Sequence, residues 1–218
     1  MSIDFSTKPQ SEFTGGAFSY FFRRLAVGIV SSISLGLLLP AMTCWLQRWV
    51  ASHTYINGRQ QVFDGRGIEL FGKYLLWMLL SIVTLGIFLI WLPVKMQRWL
   101  VSHTHFVDGV ATDDSSYFDG SVLGYFGRSL LVALVSYITL GFGIFWGVCY
   151  LNRWLCSHTV IDGERLAFDG GGLELFGKYL IWMLLTIVTL GIYGFWVPVK
   201  ELKWMTSHTQ IDAFVPSK

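Results

Sequence analysis

Four copies of Ser-His-Thr, centred on His53, His103, His158 and His208, are the residues of this chain whose type and spacing most invite chemistry. Four imidazoles gathered by a closed repeat would suit a transition metal. No carboxylate or cysteine stands at a matching repeated position beside them, and none has the short helical ligand spacing of a zinc site. The expectation is therefore no metal, and a capping role instead. A histidine with hydroxyl neighbours at a helix end meets carbonyls that have no partner within the helix.

A second repeated set consists of hydroxyls: Ser31 and Ser34, Ser81 and Thr84, Ser136 and Thr139, Thr186 and Thr189. Three-residue spacing puts each pair on one helical face, deep in apolar sequence. There they either let helices approach and bond across, or line a polar path for a small solute or a lipid headgroup. Trp49, Trp99, Trp154 and Trp204 each follow Arg or Lys, the pattern of an anchor at a lipid–water interface. No nucleophile elbow, phosphate-cradling loop or paired-carboxylate constellation occurs, so neither an enzyme nor a cofactor is expected. Cys44, Cys149 and Cys156 are odd in number and read as small hydrophobes, not as a disulfide framework.

The elements that position these residues follow from a repeat of about 50 residues. Gly36, Gly86, Gly141 and Gly191 stand seventeen positions before the four histidines, each preceded by Ser-Leu or Thr-Leu. Phe13, Phe63, Phe118 and Phe168 stand twenty-three positions before those glycines, each with a further glycine two residues on. The repeats are 13–62, 63–117, 118–167 and 168–218, with an insertion around Ala111 to Ser116. Glu69-Leu-Phe-Gly-Lys73 recurs as Glu174-Leu-Phe-Gly-Lys178, which implies a duplicated two-repeat unit, 13–117 and 118–218, within one membrane domain of residues 1–218.

Of the 218 residues, 53% are hydrophobic and only 14% charged, against roughly 25% in a soluble domain. Leu25 to Leu46, Tyr74 to Val94, Leu130 to Leu151 and Tyr179 to Val199 carry no charge at all, and about 20 apolar residues suffice to span a bilayer. The balance of 16 Lys and Arg against 14 Asp and Glu removes the driving force for nucleic-acid binding. The opening residues lack the pattern of a removable signal peptide. No charged residue lies inside an apolar run, which argues against ion-coupled transport.

Glu69 and Lys73 are spaced as a helical i, i+4 pair with the acid first. The glycine of Thr-Leu-Gly suits a left-handed helix cap, and Pro40, Pro93 and Pro198 suit the first turn of a following helix. Each repeat thus reads as helix, break at Gly36, Gly86, Gly141 or Gly191, second helix; one continuous kinked helix is the alternative. Asn57-Gly58 and Asp162-Gly163 signal hairpins with type I′ turns, predicted to join each helix pair to the next. The segment ending at Phe13 and Gln210 to Val215 would supply a last hairpin that closes the ring. The fold class expected is a mainly α integral membrane protein of four helix–break–helix repeats joined by polar β-hairpins.

Basic residues lie thirteen positions before each break glycine (Arg23, Lys73, Arg128, Lys178) and twelve after it (Arg48, Arg98, Arg153, Lys203). If each repeat crosses once, the basic residues divide almost evenly between the two sides. If each turns back at its glycine, all fall on one side, the arrangement the positive-inside rule favours.

The run of motifs, Phe-x-Gly, Glu-Leu-Phe, Thr-Leu-Gly-Ile, a basic residue before Trp, Ser-His-Thr, then Asn57-Gly-Arg or Asp162-Gly-Glu-Arg leading to Phe, resembles the YjgN-like family. Repeat one departs from it at Ser34-Leu35-Gly36-Leu37. The resemblance implies a multi-pass protein of the bacterial inner membrane with no assigned function and no catalytic residues. The expected role is a non-enzymatic membrane scaffold or lipid-interacting module. Its partner is the lipid bilayer, not nucleic acid, with protein partners undetermined and self-association left open. The alternative is a passive channel or transporter lined by the repeated hydroxyls.

Overall fold

A computed structural model describes residues 10–109 and 115–212. In chain order the elements are β1 (Glu12–Phe13), α1 (Ala17–Ile33), α2 (Leu39–Ser52), β2 (Thr54–Ile56), β3 (Arg59–Phe63), α3 (Gly67–Val83), α4 (Leu92–Ser102) and β4 (Thr104–Phe106). The second half repeats them as β5 (Tyr117–Phe118), α5 (Val122–Ile138), α6 (Ile144–Ser157), β6 (Thr159–Ile161), β7 (Glu164–Phe168), α7 (Gly172–Val188), α8 (Val197–Ser207) and β8 (Thr209–Ile211). Short 3-10 turns, Ile87–Ile90 and Ile192–Phe195, precede α4 and α8.

Each long helix ends in the same turn. The Gly86 N–H reaches back to the Ser81 carbonyl at 2.7 Å and the Leu85 N–H to Ile82 at 3.1 Å, the paired bonds of a Schellman cap. The sequence places glycine in the first left-handed position; the structure places Leu85 there (φ +50°), with Gly86 (φ +89°) following. Leu35, Leu140 and Leu190 behave alike, with φ from +50° to +52°. Left-handed backbone costs a non-glycine residue on the order of 1–2 kcal/mol. Two such residues in succession turn the chain back on itself.

That reversal corrects the fold class. The uncharged runs are divided by the turn into a 17-residue helix and a separate second helix, so among the described residues no helix is long and apolar enough to cross a membrane. Among the described residues eight α-helices stand with two four-stranded antiparallel sheets, not as a mainly α integral membrane protein. The multi-pass inner-membrane placement and the transmembrane-helix expectation fall with it. Counting apolar residues could not reveal this, because the break comes from backbone dihedrals at Leu-Gly and changes no side chain's polarity.

The sheets run β1-β2-β3-β4 and β5-β6-β7-β8. Among the described residues β2–β3 and β6–β7 are the hairpins, at the two places where Asn57-Gly58 and Asp162-Gly163 supply consecutive positive φ values. Among the described residues the strands expected to form the other two hairpins pair elsewhere, and residues 110–114 and 213–215 of those segments lie outside the described residues. β4 pairs with β3 and β5 with β6, while β1 lies on β2 (Glu12↔Tyr55) and β8 on β7 (Leu166↔Ile211). Each hairpin has two free edges, and the strand nearest in chain on either side fills them.

The repeats nevertheless close. Phe18 meets Trp196 edge-on at 5.4 Å and Phe21 meets Phe195 at 4.6 Å between centroids, while Phe13, Tyr20 and Val199 are buried together. The centre of the sheet layer is filled by Ile56, Phe106 and Ile161 with Ile211 against them, each three residues past its repeated histidine. The two halves are bonded there. Asn57 Oδ1 accepts from the Ile211 N–H at 2.9 Å, Asp162 Oδ2 from the Phe106 N–H at 2.6 Å, and Arg59, paired with Asp108 of its own half at 2.9 Å, reaches Glu164 of the other.

Candidate functional site

The four histidines do not meet; each belongs to its own aromatic station at the base of a helix pair. His103 lies 4.5 Å from Trp99 between ring centroids, and Phe63 meets Trp99 edge-on at 5.8 Å. Phe13–Trp49–His53, Phe118–Trp154–His158 and Phe168–Trp204–His208 reproduce these distances within 0.1 Å. Each histidine Nδ1 lies 2.8 or 2.9 Å from the carbonyl of the tryptophan four residues earlier, at the end of its helix. Among the described residues no group of three His, Cys, Asp or Glu could hold a metal ion.

The tryptophans are interior parts of these stations. Trp99, Trp154 and Trp204 are buried, and the Trp99 and Trp204 indoles donate to Glu69 and Glu174 at 3.0 and 2.8 Å. Lys73 donates to the same Glu69 oxygen at 2.8 Å, and His103 Nε2 lies 3.3 Å from the other. Since Glu69 opens α3 and Trp99 closes α4, these bonds fix the chain as a turned-back pair with both ends together. In repeats one and three no glutamate is present at this position. There the guanidiniums of Arg23 and Arg128 lie over Trp49 and Trp154 at 5.1 and 5.0 Å. Arg48, Arg98 and Arg153 donate to the carbonyls of Gly65, Gly120 and Gly170, tying each station to the next.

Hydrogen bonds from Lys73 and then Trp99 hold the Glu69 carboxyl down to about 2, from an ordinary 4.5. Glu174 is lowered as well, first by Trp204. A lowered folded-state value contributes stability that is present above about pH 4.5 and lost as pH falls toward 2. The carboxylate is 43% exposed, so the loss is modest. The urea midpoint is expected to drop on going from pH 5 to pH 2.5, and Glu69→Gln together with Glu174→Gln should flatten that drop. An unchanged slope in the double variant would contradict the assignment.

The hydroxyls close the turns rather than lining a path. Thr84, Thr139 and Thr189 donate to the carbonyl four residues back at 2.7 Å and accept from the N–H of Phe88, Gly143 and Tyr193. Ser34 accepts likewise from Leu38, while Ser81 and Thr186 bond back to Trp77 and Trp182. Ser31 and Ser136 bury hydroxyl oxygens that make no hydrogen bond.

At the far end from the stations lie the turn tips. Leu35, Leu85, Leu140 and Leu190 are 92, 93, 89 and 94% exposed, and Ile33, Val83, Ile138 and Val188 beside them are exposed too. Between tips and stations is a feature the motif spacing did not single out. A cleft of about 510 Å³ is lined by Lys73, Lys95, Arg98, Trp77, Trp99 and Tyr117. Its signal in the sequence is that Trp77 and Lys95 recur as Trp182 and Lys200 in repeat four, but give way to Val27 and Trp45, or Val132 and Tyr150, in the odd repeats.

Residues 164–214 match a family described as bacterial protein of unknown function (DUF898), and residues 63–162 match a second family of unknown function (DUF6693). No curated protein matches the chain, and no solved structure does. The match over the last repeat falls on the motifs that resemble the YjgN-like proteins, and each of the two matches covers less than half of the chain.

Proposed function

We propose that the protein is a non-enzymatic lipid-docking module that seats its four Leu-Gly turns in one leaflet of a bilayer without crossing it. The observation that carries this reading is the exposure of the same leucine at all four tips, 89–94%, on a layer of exposed Leu, Ile, Val and Phe. Contiguous exposed apolar surface beyond a few hundred Å² marks an interaction face, and a strained leucine held out at every tip gains nothing from the fold itself. Depth supports one leaflet. The twelve positions from Lys73 to Leu85 rise about 18 Å, a little over half of a hydrocarbon core of about 30 Å. Lys73, Lys95, Arg98 and their counterparts then lie at headgroup level, and the polar sheets stand in water.

The test is flotation of the purified protein with phosphatidylcholine–phosphatidylglycerol vesicles. The expected result is that the protein floats with the vesicles in high salt as well as low, since apolar insertion is unscreened. Recovery of the protein in the soluble fraction at both salts, as an oligomer whose tips bury one another, would overturn the reading.

A further inference from the structure

The cationic cleft of repeat two has a neighbour. An apolar cavity of about 290 Å³ lies between α2, α3 and α4, lined by Leu39, Pro40, Leu70, Leu92 and Met96, and Trp77 lines both spaces. Together they fall within the 300–1,000 Å³ of ordinary ligand sites, one end cationic and the other hydrocarbon. The cations differ in what already occupies them. Lys73 is balanced by Glu69 at 2.8 Å, and Arg98 spends one N–H on the Gly120 carbonyl at 2.9 Å. Lys95 lies only over the Phe88 ring at 5.8 Å and forms no ion pair among the described residues. Among the described residues the cleft therefore carries positive charge with no carboxylate on Lys95, beside aromatic rings and directly against an apolar slot.

We infer that this pair of spaces is a binding site for one anionic phospholipid, its phosphate held by Lys95 and Arg98 and one acyl chain laid against Trp77 in the cavity. This rests on the lipid-docking reading and adds to it a chemical preference and a single preferred repeat. Repeat four offers Lys178, Lys200, Lys203 and Trp182 at matching positions, but where repeat two faces Tyr117 the matching residue is Glu12. A carboxylate there opposes an anion, so the two clefts are not equivalent. Repeats one and three have no lysine at the Lys95 position, and Arg23 and Arg128 lie over their own tryptophans.

The probe that separates this site from docking is dihexanoylphosphatidylglycerol below its micelle concentration, titrated calorimetrically into the whole protein with no bilayer present. The wild-type chain is expected to bind it, and Lys95→Glu to weaken binding at least tenfold while the thermal midpoint is kept. Lys200→Glu is expected to change it less than threefold. Inorganic phosphate alone should bind far more weakly than the lipid, since the apolar slot would then be empty. Equal losses in the two lysine variants would overturn the inference, reducing it to the general charge of the belt. So would phosphate binding as tightly as lipid, or no binding of the lipid to a chain that still floats with vesicles. Binding of the monomeric lipid by a chain that does not float would instead keep the site and discard the docking.

Discussion

Replacing Leu35, Leu85, Leu140 and Leu190 together by Asn is expected to cut vesicle affinity at least 100-fold while leaving the fold as stable as before or slightly more so. The two effects have opposite causes. Each leucine moved from water into hydrocarbon contributes about 2 kcal/mol, and four acting together dominate any docking energy. Half of that sum already corresponds to roughly three decades in affinity. In solution the same side chains are about nine-tenths exposed and contribute almost nothing to the core. They sit at φ near +50°, a conformation asparagine adopts more readily than leucine. Thermal unfolding without lipid and flotation with it read the two sides separately. A variant that floats like the parent would show that the tips do not carry the interaction.

The second large effect lies in the stations. Gly15, Gly65, Gly120 and Gly170 each sit where a Cβ would come within 2.8–2.9 Å of Cη2 of the station tryptophan and closer still to the station phenylalanine. Both rings are packed and neither can swing aside, because the phenylalanine is buried on its strand and the tryptophan is held between it and the histidine, whose ring lies tilted at 4.5 Å. Gly65→Ala is expected to cost about 3 kcal/mol, and the four substitutions together should prevent folding. For a chain of this length each should lower Tm by roughly 6–12 °C. Gly72→Ala is the contrast. It lies inside α3 with open space around it and should raise stability by up to about 1 kcal/mol. Equal responses at Gly65 and Gly72 would mean that ring packing does not set the need for glycine.

What was legible in the sequence was local. The break at each Leu-Gly, the restart of a helix near proline and the turns at Asn57-Gly58 and Asp162-Gly163 are written in residues within five positions of one another. Strand partnership was not. That β1 lies on β2 depends on which hairpin edge is left open once the helices pack, and the bond that marks it, from the Asn57 N–H to the Ser11 hydroxyl at 2.9 Å, joins residues 46 positions apart. Trp99 shows the same limit at the candidate site. Beside Arg98 it reads as an interface anchor, yet its indole bonds to Glu69, thirty residues upstream and adjacent only because the chain turns back. The cationic cleft was hidden for a different reason. A search for fourfold repetition passes over Trp77 and Lys95, which occur in only two repeats, and it is that departure from symmetry which marks a place where the repeats differ in chemistry.

The most direct measurement of the account is the depth of single nitroxide labels on lipid vesicles, in a chain with Cys44, Cys149 and Cys156 replaced by Ala. One label is placed at Leu85 on a turn tip and one at Asp64 beside the sheet layer. The label at Leu85 is expected to be relaxed by oxygen and shielded from a water-soluble relaxant on both sides of the bilayer, while the label at Asp64 is reached from the outer water. Equal access of the water-soluble relaxant to both labels would contradict it.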